Sequence, residues 1–267
     1  MSPPTAVVLV KLGGSLITDK TRPMSPRLEV IDRLARETHQ AMDSAPGLRL
    51  VLGHGSGSFG HTVGQQHNTR AGVRTPEEWV GFARVSAAAA QLNRLVADAF
   101  VAAGVPVLSL QPSASAVCRD GILVHLALEP ILAALDRGLV PLVYGDVALD
   151  RVQGGTIIST EEILAYLTVH LRPERILLLG EVEGVLDSRG RTLEQIRPGD
   201  LPALSDILAG SRGADVTGGM LSKVADMLRL VESRPGVSVR IFSGLAPGAL
   251  RQALIDPGFR AGTLLSA

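Results

Sequence analysis

The sequence is poor in cysteine, in aromatic residues and in net charge, and each shortage excludes a class of function. Its 267 residues include one cysteine, Cys118, which excludes an internal disulfide framework and a cysteine-based zinc site. Lysine plus arginine and aspartate plus glutamate number 26 each, so no basic field favours nucleic acid or an anionic membrane surface. Aromatic residues make up 3%, which leaves few rings on which bases could stack.

Long hydrophobic runs are also missing. No apolar run reaches the length of a transmembrane helix, and the stretch MSPPTAVVLVK lacks the charged and apolar regions of a signal peptide. We therefore expect a protein of the cytoplasm, a reducing compartment, with neither a membrane nor a nucleic-acid partner.

What the sequence does contain is an alternation of short apolar segments and longer helical patterns. The apolar segments are nearly continuous, which is typical of parallel strands that helices cover on both faces. They lie at 6–11, 48–53, 105–110, 139–145, 174–180 and 237–244, with a further one at 262–265. Two capping boxes, at 75–78 and 159–162, mark the starts of helices. We predict an α/β fold, a three-layer αβα sandwich around a mostly parallel open sheet, with an internal boundary near 172–175.

The stretch VLGHGSGSFGH, at 51–61, poses the first functional question. Gly55, Gly57 and Gly60 fit the dinucleotide pattern G-x-G-x-x-G, but they follow the second strand, and the acids about 20 residues later begin a helix instead of ending a strand. A Walker motif would need a lysine where this chain has His61. The remaining interpretation is an anion-binding glycine loop in which His61, preceded by His54, donates to a phosphate. A purely structural role is the alternative for either histidine.

Two further loops combine glycine with lysine. After the first strand the chain reads Lys11, Leu12, Gly13, Gly14, Ser15 and continues to Lys20. Successive glycine N–H groups can turn toward one anion, and the two lysines add positive charge. A plain strand-to-helix turn with surface lysines is the alternative.

The segment DVTGGMLSK, at 215–223, joins Gly218 and Gly219 to a helix start with Lys223 one turn later. That composition is typical of a clamp on nucleotide phosphates. Acids that follow strands, such as those at 146 and 161–162, can bind a metal or position a lysine, although first-turn acids also favour the helix dipole. Two glycine-lined anion sites with three lysines and a histidine predict phosphoryl transfer, in which catalysis is mainly positioning and charge neutralisation.

At these loops the sequence resembles the amino-acid kinase superfamily and, within it, the family of isopentenyl phosphate kinases. The matching segments are VKLGGSLITDK, HGSGSFGH, SLQPSA, VPLVYGDVALD, EGVLD and DVTGGMLSK. GSFGH together with GGSLITDK is the more specific pair and belongs to a branch with phosphate acceptors that includes fosfomycin kinases. The resemblance implies an ATP-dependent kinase that makes isopentenyl diphosphate in isoprenoid biosynthesis, usually as a homodimer. It implies an acceptor half at 1–172 and a nucleotide half at 173–267 on one continuous sheet.

The resemblance also implies a role for each matching residue, and the four catalytic ones would be Lys11, Lys20, His61 and Lys223. Lys20 would stabilise the transferring phosphoryl group, and His61 would hold the acceptor phosphate. The ATP-binding residues would be Lys11, Gly13, Gly14, Ser15, Ser56, Glu181, Glu183, Gly218, Gly219 and Lys223. The acceptor-binding residues would be Gly55, Gly57, Gly60, His61, Phe82, Val85, Ser86, Ser159 and Thr160. Mg²⁺ is expected only as the counter-ion of ATP, with no metal site in the protein itself.

Two departures from the family pattern concern the acceptor more than the chemistry. At 159–161 this chain reads S-T-E where the family has S-G-D. At 180–184 it reads G-E-V-E-G where the family has T-D-V-D-G. Glutamate keeps the charge of aspartate but reaches one methylene further, and Thr160 adds bulk and a hydroxyl. Two alternatives remain: a kinase of the same fold for another small phosphate or phosphonate such as fosfomycin, and a non-catalytic nucleotide-binding protein. The mostly apolar stretch VGFARVS, at 80–86, favours an apolar acceptor tail.

Overall fold

The computed structural model describes residues 7–204 and 219–267. Its strands are β1 (Val7–Leu12), β2 (Arg49–His54), β3 (Val107–Ser109), β4 (Val117–Arg119), β5 (Ile122–His125), β6 (Val140–Tyr144), β7 (Asp146–Asp150), β8 (Gly154–Ile158), β9 (Arg175–Gly180), β10 (Gln195–Ile196), β11 (Ser238–Ser243) and β12 (Thr263–Leu265). Its helices are α1 (Gly14–Ile17), α2 (Leu28–Ser44), α3 (Gly57–His67), α4 (Pro76–Ala102), α5 (Glu129–Asp136), α6 (Thr160–Leu171), α7 (Gly219–Ser233) and α8 (Ala249–Ile255).

The main sheet has eight strands in the order β10-β12-β11-β9-β1-β2-β6-β3. Neighbouring strands are parallel except β11 and β12. Alternate residues of β1 face opposite sides: Val7 and Leu9 join the apolar cluster under α6 and α7, whereas Val8 and Val10 join the one under α2, α4 and α8. This two-sided burial explains why the strands are nearly continuous apolar runs, and it confirms the predicted αβα sandwich.

A second sheet, with strand order β5-β4-β7-β8, was not predicted from the sequence. Its strands are short and carry polar residues, so they give no apolar run: β4 has three residues, and β7 begins and ends with an aspartate. Asp150 instead accepts N–H groups from both sides, including Gly121 at 2.7 Å and Val152 at 2.7 Å, and so anchors two turns of this sheet.

Both predicted capping boxes are confirmed. Thr75 Oγ1 accepts a hydrogen bond from the Glu78 N–H at 3.3 Å, and the Glu78 carboxylate accepts one from the Thr75 N–H at 2.9 Å. Ser159 and Glu162 form the same reciprocal pair at the start of α6, at 3.1 and 2.6 Å.

The strands of both predicted halves lie side by side in the main sheet, because β9 pairs with β1. The division into an acceptor half and a nucleotide half stays a prediction. None of the helices in the described ranges is both long and apolar enough to span a bilayer. The carboxyl ends of β1, β2 and β9 share one edge of the sheet, which is where open α/β sheets bind ligands.

Candidate active site

Two glycine turns meet backbone to backbone at this edge of the sheet. Gly13 and Gly14 follow β1, and Gly55 to Gly57 follow β2. A methyl group on Gly14 would lie 2.6 Å from the backbone nitrogen of Gly57, and one on Gly55 would lie 2.9 Å from the nitrogen of Gly14. Gly57 also has a positive φ of 50°, which favours glycine. Glycine is therefore required at these positions because two main chains approach each other there.

The helices that follow these turns begin without side-chain caps. Neither α1 nor α3 has a side-chain hydrogen bond at its N-cap. Thr18 Oγ1 accepts a hydrogen bond from the Ser58 N–H at 2.9 Å. Within the described residues, no acceptor meets the N–H groups of Gly14, Ser56 or Gly57. Free N–H groups at a helix N-terminus bind anions, and here two such termini converge.

A single carboxylate holds two of the predicted lysines beside these turns. Lys11 lies at the end of β1, and its Nζ donates to Glu161 Oε1 in the first turn of α6. Lys223 Nζ lies 3.7 Å from the same oxygen. The side chains of Lys11 and Glu161 are 11% and 13% exposed, whereas that of Lys223 is 56% exposed. Lysines from β1 and α7 are therefore brought together by an acid from α6.

The charges of this cluster shift one another's ionisation. Burial lowers the pKa of Lys11, as do the nearby charges of Lys223 and Lys20, while Glu161 opposes them. Burial acts to raise the pKa of Glu161, but Lys11 and Lys223 outweigh it, and the pKa lies below its ordinary value. Glu161 is therefore an ionised carboxylate between Lys11 and Lys223, and the charge of Lys20 also acts on Lys11. Basic side chains suited to phosphate groups are thus gathered here.

The sequence indicated the positioning of a lysine as one role for the acids at 161–162, but Glu161 was not included among the predicted site residues, because a first-turn acid is also expected from the helix dipole alone. The sequence signals were its place after a strand and its place in the segment that matches the family's S-G-D. Its contact with Lys11 joins residues that are 150 positions apart, and no local pattern reports such a contact.

The other predicted nucleotide residues are spread along the same edge. Lys20 is exposed in the turn after α1, and its charge contributes to lowering the pKa of Lys11. Glu181 follows β9 and forms an ion pair with Arg27, whereas Glu183 is exposed. Ser15 lies in α1, and Gly219 is the first residue of α7. Gly218 lies outside the described residues.

Of the residues predicted to bind the acceptor, α3 carries Gly60 and His61. A methyl group on Gly60 would lie 2.5 Å from Ser56 Oγ, so the first turn of α3 is as tightly packed as the glycine turn before it. His61 follows in the second turn of the helix. The position of its side chain lies outside what the structure describes, and its role stays a prediction.

The predicted tail contacts lie at the start of α4. Val85 is buried, whereas Phe82 and Ser86 are half-buried. Phe82 packs edge to face on Trp79, with ring centroids 5.2 Å apart, and covers Gly155, where a methyl group would lie 2.8 Å from the ring. Ser86 Oγ accepts a hydrogen bond from Gln111 at 3.4 Å. An apolar wall of α4 therefore faces the second sheet.

The hydroxyl groups of Ser159 and Thr160 both form hydrogen bonds within the protein. Ser159 Oγ caps α6. Thr160 is buried, and its Oγ1 donates to the His54 carbonyl at 2.6 Å. A methyl group on Gly53 would lie 2.6 Å from Thr160 Cγ2. The threonine that replaces the family's glycine thus fastens α6 to the end of β2, and its contact with an acceptor stays a prediction.

A cavity of about 680 Å³ lies between α6 and α7. Glu161 and Lys223 form part of its wall, with Met227 and Leu230 further along α7. The cavity therefore reaches the lysine cluster from the helix layer. No group of three or more histidine, cysteine, aspartate or glutamate side chains suited to a metal ion occurs in the described part of the chain.

Comparison with known proteins agrees with this geometry. The model of the amino acid kinase family matches residues 6–243. The isopentenyl phosphate kinase of Methanothermobacter thermautotrophicus is 34% identical over 265 residues, covering 95% of this chain and 97% of that protein. The enzyme of the same name from Haloferax volcanii is 36% identical over 228 residues, covering 84% and 88%. A crystal structure of an isopentenyl phosphate kinase superimposes with a TM-score of 0.80 at 30% identity, covering 97% of this chain and 99% of that one.

Proposed function

Because the chain belongs to the amino acid kinase family, we propose that it transfers the terminal phosphoryl group of ATP to isopentenyl phosphate and so forms isopentenyl diphosphate. The observation that carries this proposal is the convergence of two uncapped helix N-termini, those of α1 and α3, beside the lysines that Glu161 holds. Its relatives named isopentenyl phosphate kinase match nearly the whole chain, which supports the same acceptor.

The chemistry follows from charge and position. The donor and the acceptor both carry phosphate groups, so their approach requires neutralisation of negative charge. We propose that Lys11 and Lys223 bind the ATP phosphates with Gly13, Gly14, Ser15, Ser56, Gly218 and Gly219. Lys20 then neutralises the group in transfer.

The second helix terminus serves the acceptor in this proposal. Gly55, Gly57, Gly60 and His61 hold the phosphate of isopentenyl phosphate. That phosphate is already an anionic nucleophile at neutral pH, so its oxygen attacks the terminal phosphorus of ATP and ADP leaves, with no general base required. The glycine turns allow the two phosphates to lie close together and in line.

The apolar wall of α4 suits the acceptor's hydrocarbon tail. Phe82 and Val85 are uncharged side chains that the tail could contact, and Ser86 is the polar residue at the edge of this wall. Ser159 and Thr160 complete the acceptor side from α6, and Glu181 and Glu183 complete the nucleotide side after β9. These assignments rest on the resemblance of the motifs and on the positions of the residues at one edge of the sheet.

We also propose that Mg²⁺ accompanies ATP as its counter-ion and that the enzyme is a cytoplasmic homodimer. The single buried cysteine fits a reducing compartment. Exposed apolar side chains on the second sheet, Ile122, Leu149 and Val152, offer a surface for a subunit contact. Light scattering after size exclusion tests the dimer.

The reaction is tested by measuring ADP release with MgATP and, separately, isopentenyl phosphate, dimethylallyl phosphate and fosfomycin at equal concentrations. The proposal predicts the highest kcat/KM with isopentenyl phosphate. Turnover with fosfomycin alone would support the kinase activity but show that the acceptor is not isopentenyl phosphate. ATP binding without turnover on any of the three would favour the non-catalytic alternative.

A further inference from the structure

A chain of polar side chains leads from the exposed Ser109 through the buried Asn93 and His54 to the glycine turn, and the proposed reaction assigns it no role. Ser109 Oγ, at the end of β3, donates to Asn93 Oδ1 on α4. Asn93 Nδ2 lies 3.1 Å from His54 Nε2, and His54 Nδ1 lies 3.1 Å from the Gly55 carbonyl oxygen. The chain thus connects β3, α4 and β2 to the first residue of the turn.

The hydrogen bonds fix one tautomer of His54. The Asn93 amide nitrogen can only donate, so Nε2 of His54 accepts and carries no proton. Nδ1 then carries the proton and donates it to the Gly55 carbonyl. Burial lowers the pKa of His54 to about 4, which agrees with a neutral ring at physiological pH.

His54 is also held from its other sides. Its ring stacks on Tyr144, with centroids 5.5 Å apart and an interplanar angle of 8°. Its own carbonyl accepts the Thr160 hydroxyl at 2.6 Å and the Gly145 N–H at 3.2 Å. The side chain is fully buried. The ring therefore has one orientation, and the group that it holds is fixed in turn.

The group that it holds is the peptide between Gly55 and Ser56. The carbonyl of Gly55 and the N–H of Ser56 belong to one planar trans peptide and point in opposite directions. Gly55 N–H is already bonded to the Leu12 carbonyl at 3.0 Å, so the ring acts on the other side of this residue. Gly55, as a glycine, has wide backbone freedom. The hydrogen bond from His54 to its carbonyl restricts that freedom and so fixes the direction of the Ser56 N–H.

We propose that His54 is a positioning residue: its Nδ1–H holds the Gly55 carbonyl, so that the Ser56 N–H points into the phosphate site. This inference rests on the proposed function, in which Ser56 binds nucleotide phosphates. His54 itself contacts no substrate in this role.

Two substitutions separate the hydrogen bond from the space that the ring fills. His54→Phe keeps the stack on Tyr144 but loses the donor, whereas His54→Asn places an amide N–H near the position of Nδ1. We expect His54→Phe to lower kcat about tenfold to a hundredfold, as displacement of a preorganised donor does, and His54→Asn to retain most of it. Thr38→Val, a buried polar-to-apolar change at a hydroxyl that donates to the Leu34 carbonyl within α2, is the matched control and should leave kcat unchanged.

The amide resonance of Ser56 in a ¹H–¹⁵N correlation spectrum supplies a readout that a purely structural role would not move. On addition of MgATP it should shift in the wild type and in His54→Asn, and it should shift much less in His54→Phe. Equal kcat values and equal Ser56 shifts in both variants would overturn the inference, as would a lower melting temperature without any kinetic change.

If His54→Phe does not fold, Asn93→Leu tests the same chain from its other end. It removes the donor to Nε2, releases the tautomer, and should lower kcat with a smaller Ser56 shift; wild-type values for both would overturn the inference. Wild-type protein without turnover on isopentenyl phosphate would count against the proposed function instead, and the Ser56 shifts with MgATP would still decide the role of His54.

Discussion

Glu161 Oε1 accepts a hydrogen bond from Lys11 Nζ, and both side chains are nearly buried. The lysine at the end of a central strand is therefore held by an acid from a helix that begins far along the chain. With Lys223 Nζ 3.7 Å from the same oxygen, the carboxylate keeps two like charges close together that would otherwise repel each other.

Substitution of that acid should impair catalysis more than folding. Glu161→Gln keeps the shape but removes the charge, so Lys11 and Lys223 repel each other and the pKa of Lys11 falls further. We expect kcat to fall about tenfold or more, by analogy with the loss of a preorganised electrostatic group, with activity lost at a lower pH on the alkaline side. Steady-state kinetics across pH measures both effects. Glu129→Gln, an exposed first-turn acid of α5, is the matched control, and an equal loss there would contradict the specific role of Glu161.

The contact between the glycine turns predicts a second effect. Gly14→Ala would place a methyl group 2.6 Å from the Gly57 nitrogen, and a backbone atom cannot move aside as a flexible side chain can. Overpacking of this kind costs about 1–3 kcal/mol of stability, and we expect activity to fall by a larger factor because both turns are displaced. Denaturant unfolding and kinetics measure the two losses. Gly199→Ala, with open space around it, should show neither; retained activity in Gly14→Ala would argue against convergence of the turns on the phosphates.

His61 is expected to bind the acceptor phosphate directly. His61→Ala removes a charge-assisted hydrogen bond worth about 1.5–3 kcal/mol, so kcat/KM for isopentenyl phosphate should fall while the KM for ATP changes little. His61→Gln keeps a donor and should lose less. His125→Ala, at an exposed position of β5, controls for a general effect of histidine loss. Equal losses in the alanine and glutamine variants would count against a direct phosphate contact.

His54 should make stability depend on pH in the mildly acidic range. Its pKa is about 4 in the folded protein, against 6.5 ordinarily, so the unfolded chain binds the proton first as the pH falls. The stability due to neutral His54 is therefore complete above pH 6.5 and is lost as the pH falls toward 4, by about 3 kcal/mol at most.

Other groups titrate in the same range, and a difference measurement isolates His54. Burial raises the pKa of Asp146, which gives a dependence of opposite sign. The unfolding free energy of the wild type minus that of His54→Asn cancels this contribution. That difference should grow as the pH rises from about 4 to 6.5 and stay level above; a difference that is flat with pH would show that His54 is not buried in its neutral form.

Much of the fold could be read from local patterns. Seven of the eight strands of the main sheet were found because burial on both faces demands continuous apolar segments, as in β1 and β9, and such segments stand out in the sequence. The two-residue strand β10 was missed because it is too short to form such a segment. The helix starts at Pro76 and Thr160 were found because a capping box is complete within four residues. The second sheet was missed because its strands are short and its turns depend on Asp150, whose partners come from two separate turns.

The sequence by itself predicted the phosphate-binding character of the site, because glycine turns, strand-end lysines and a histidine lie within short segments whose chemistry is local. Tertiary structure alone decided how those segments combine. It brought Gly14 against Gly57, placed Glu161 between Lys11 and Lys223, and set the ring of His54 on the Gly55 carbonyl. Each of these depends on how distant strands and helices are arranged in space, and a hydrogen bond between residues 150 positions apart leaves no periodicity in the chain.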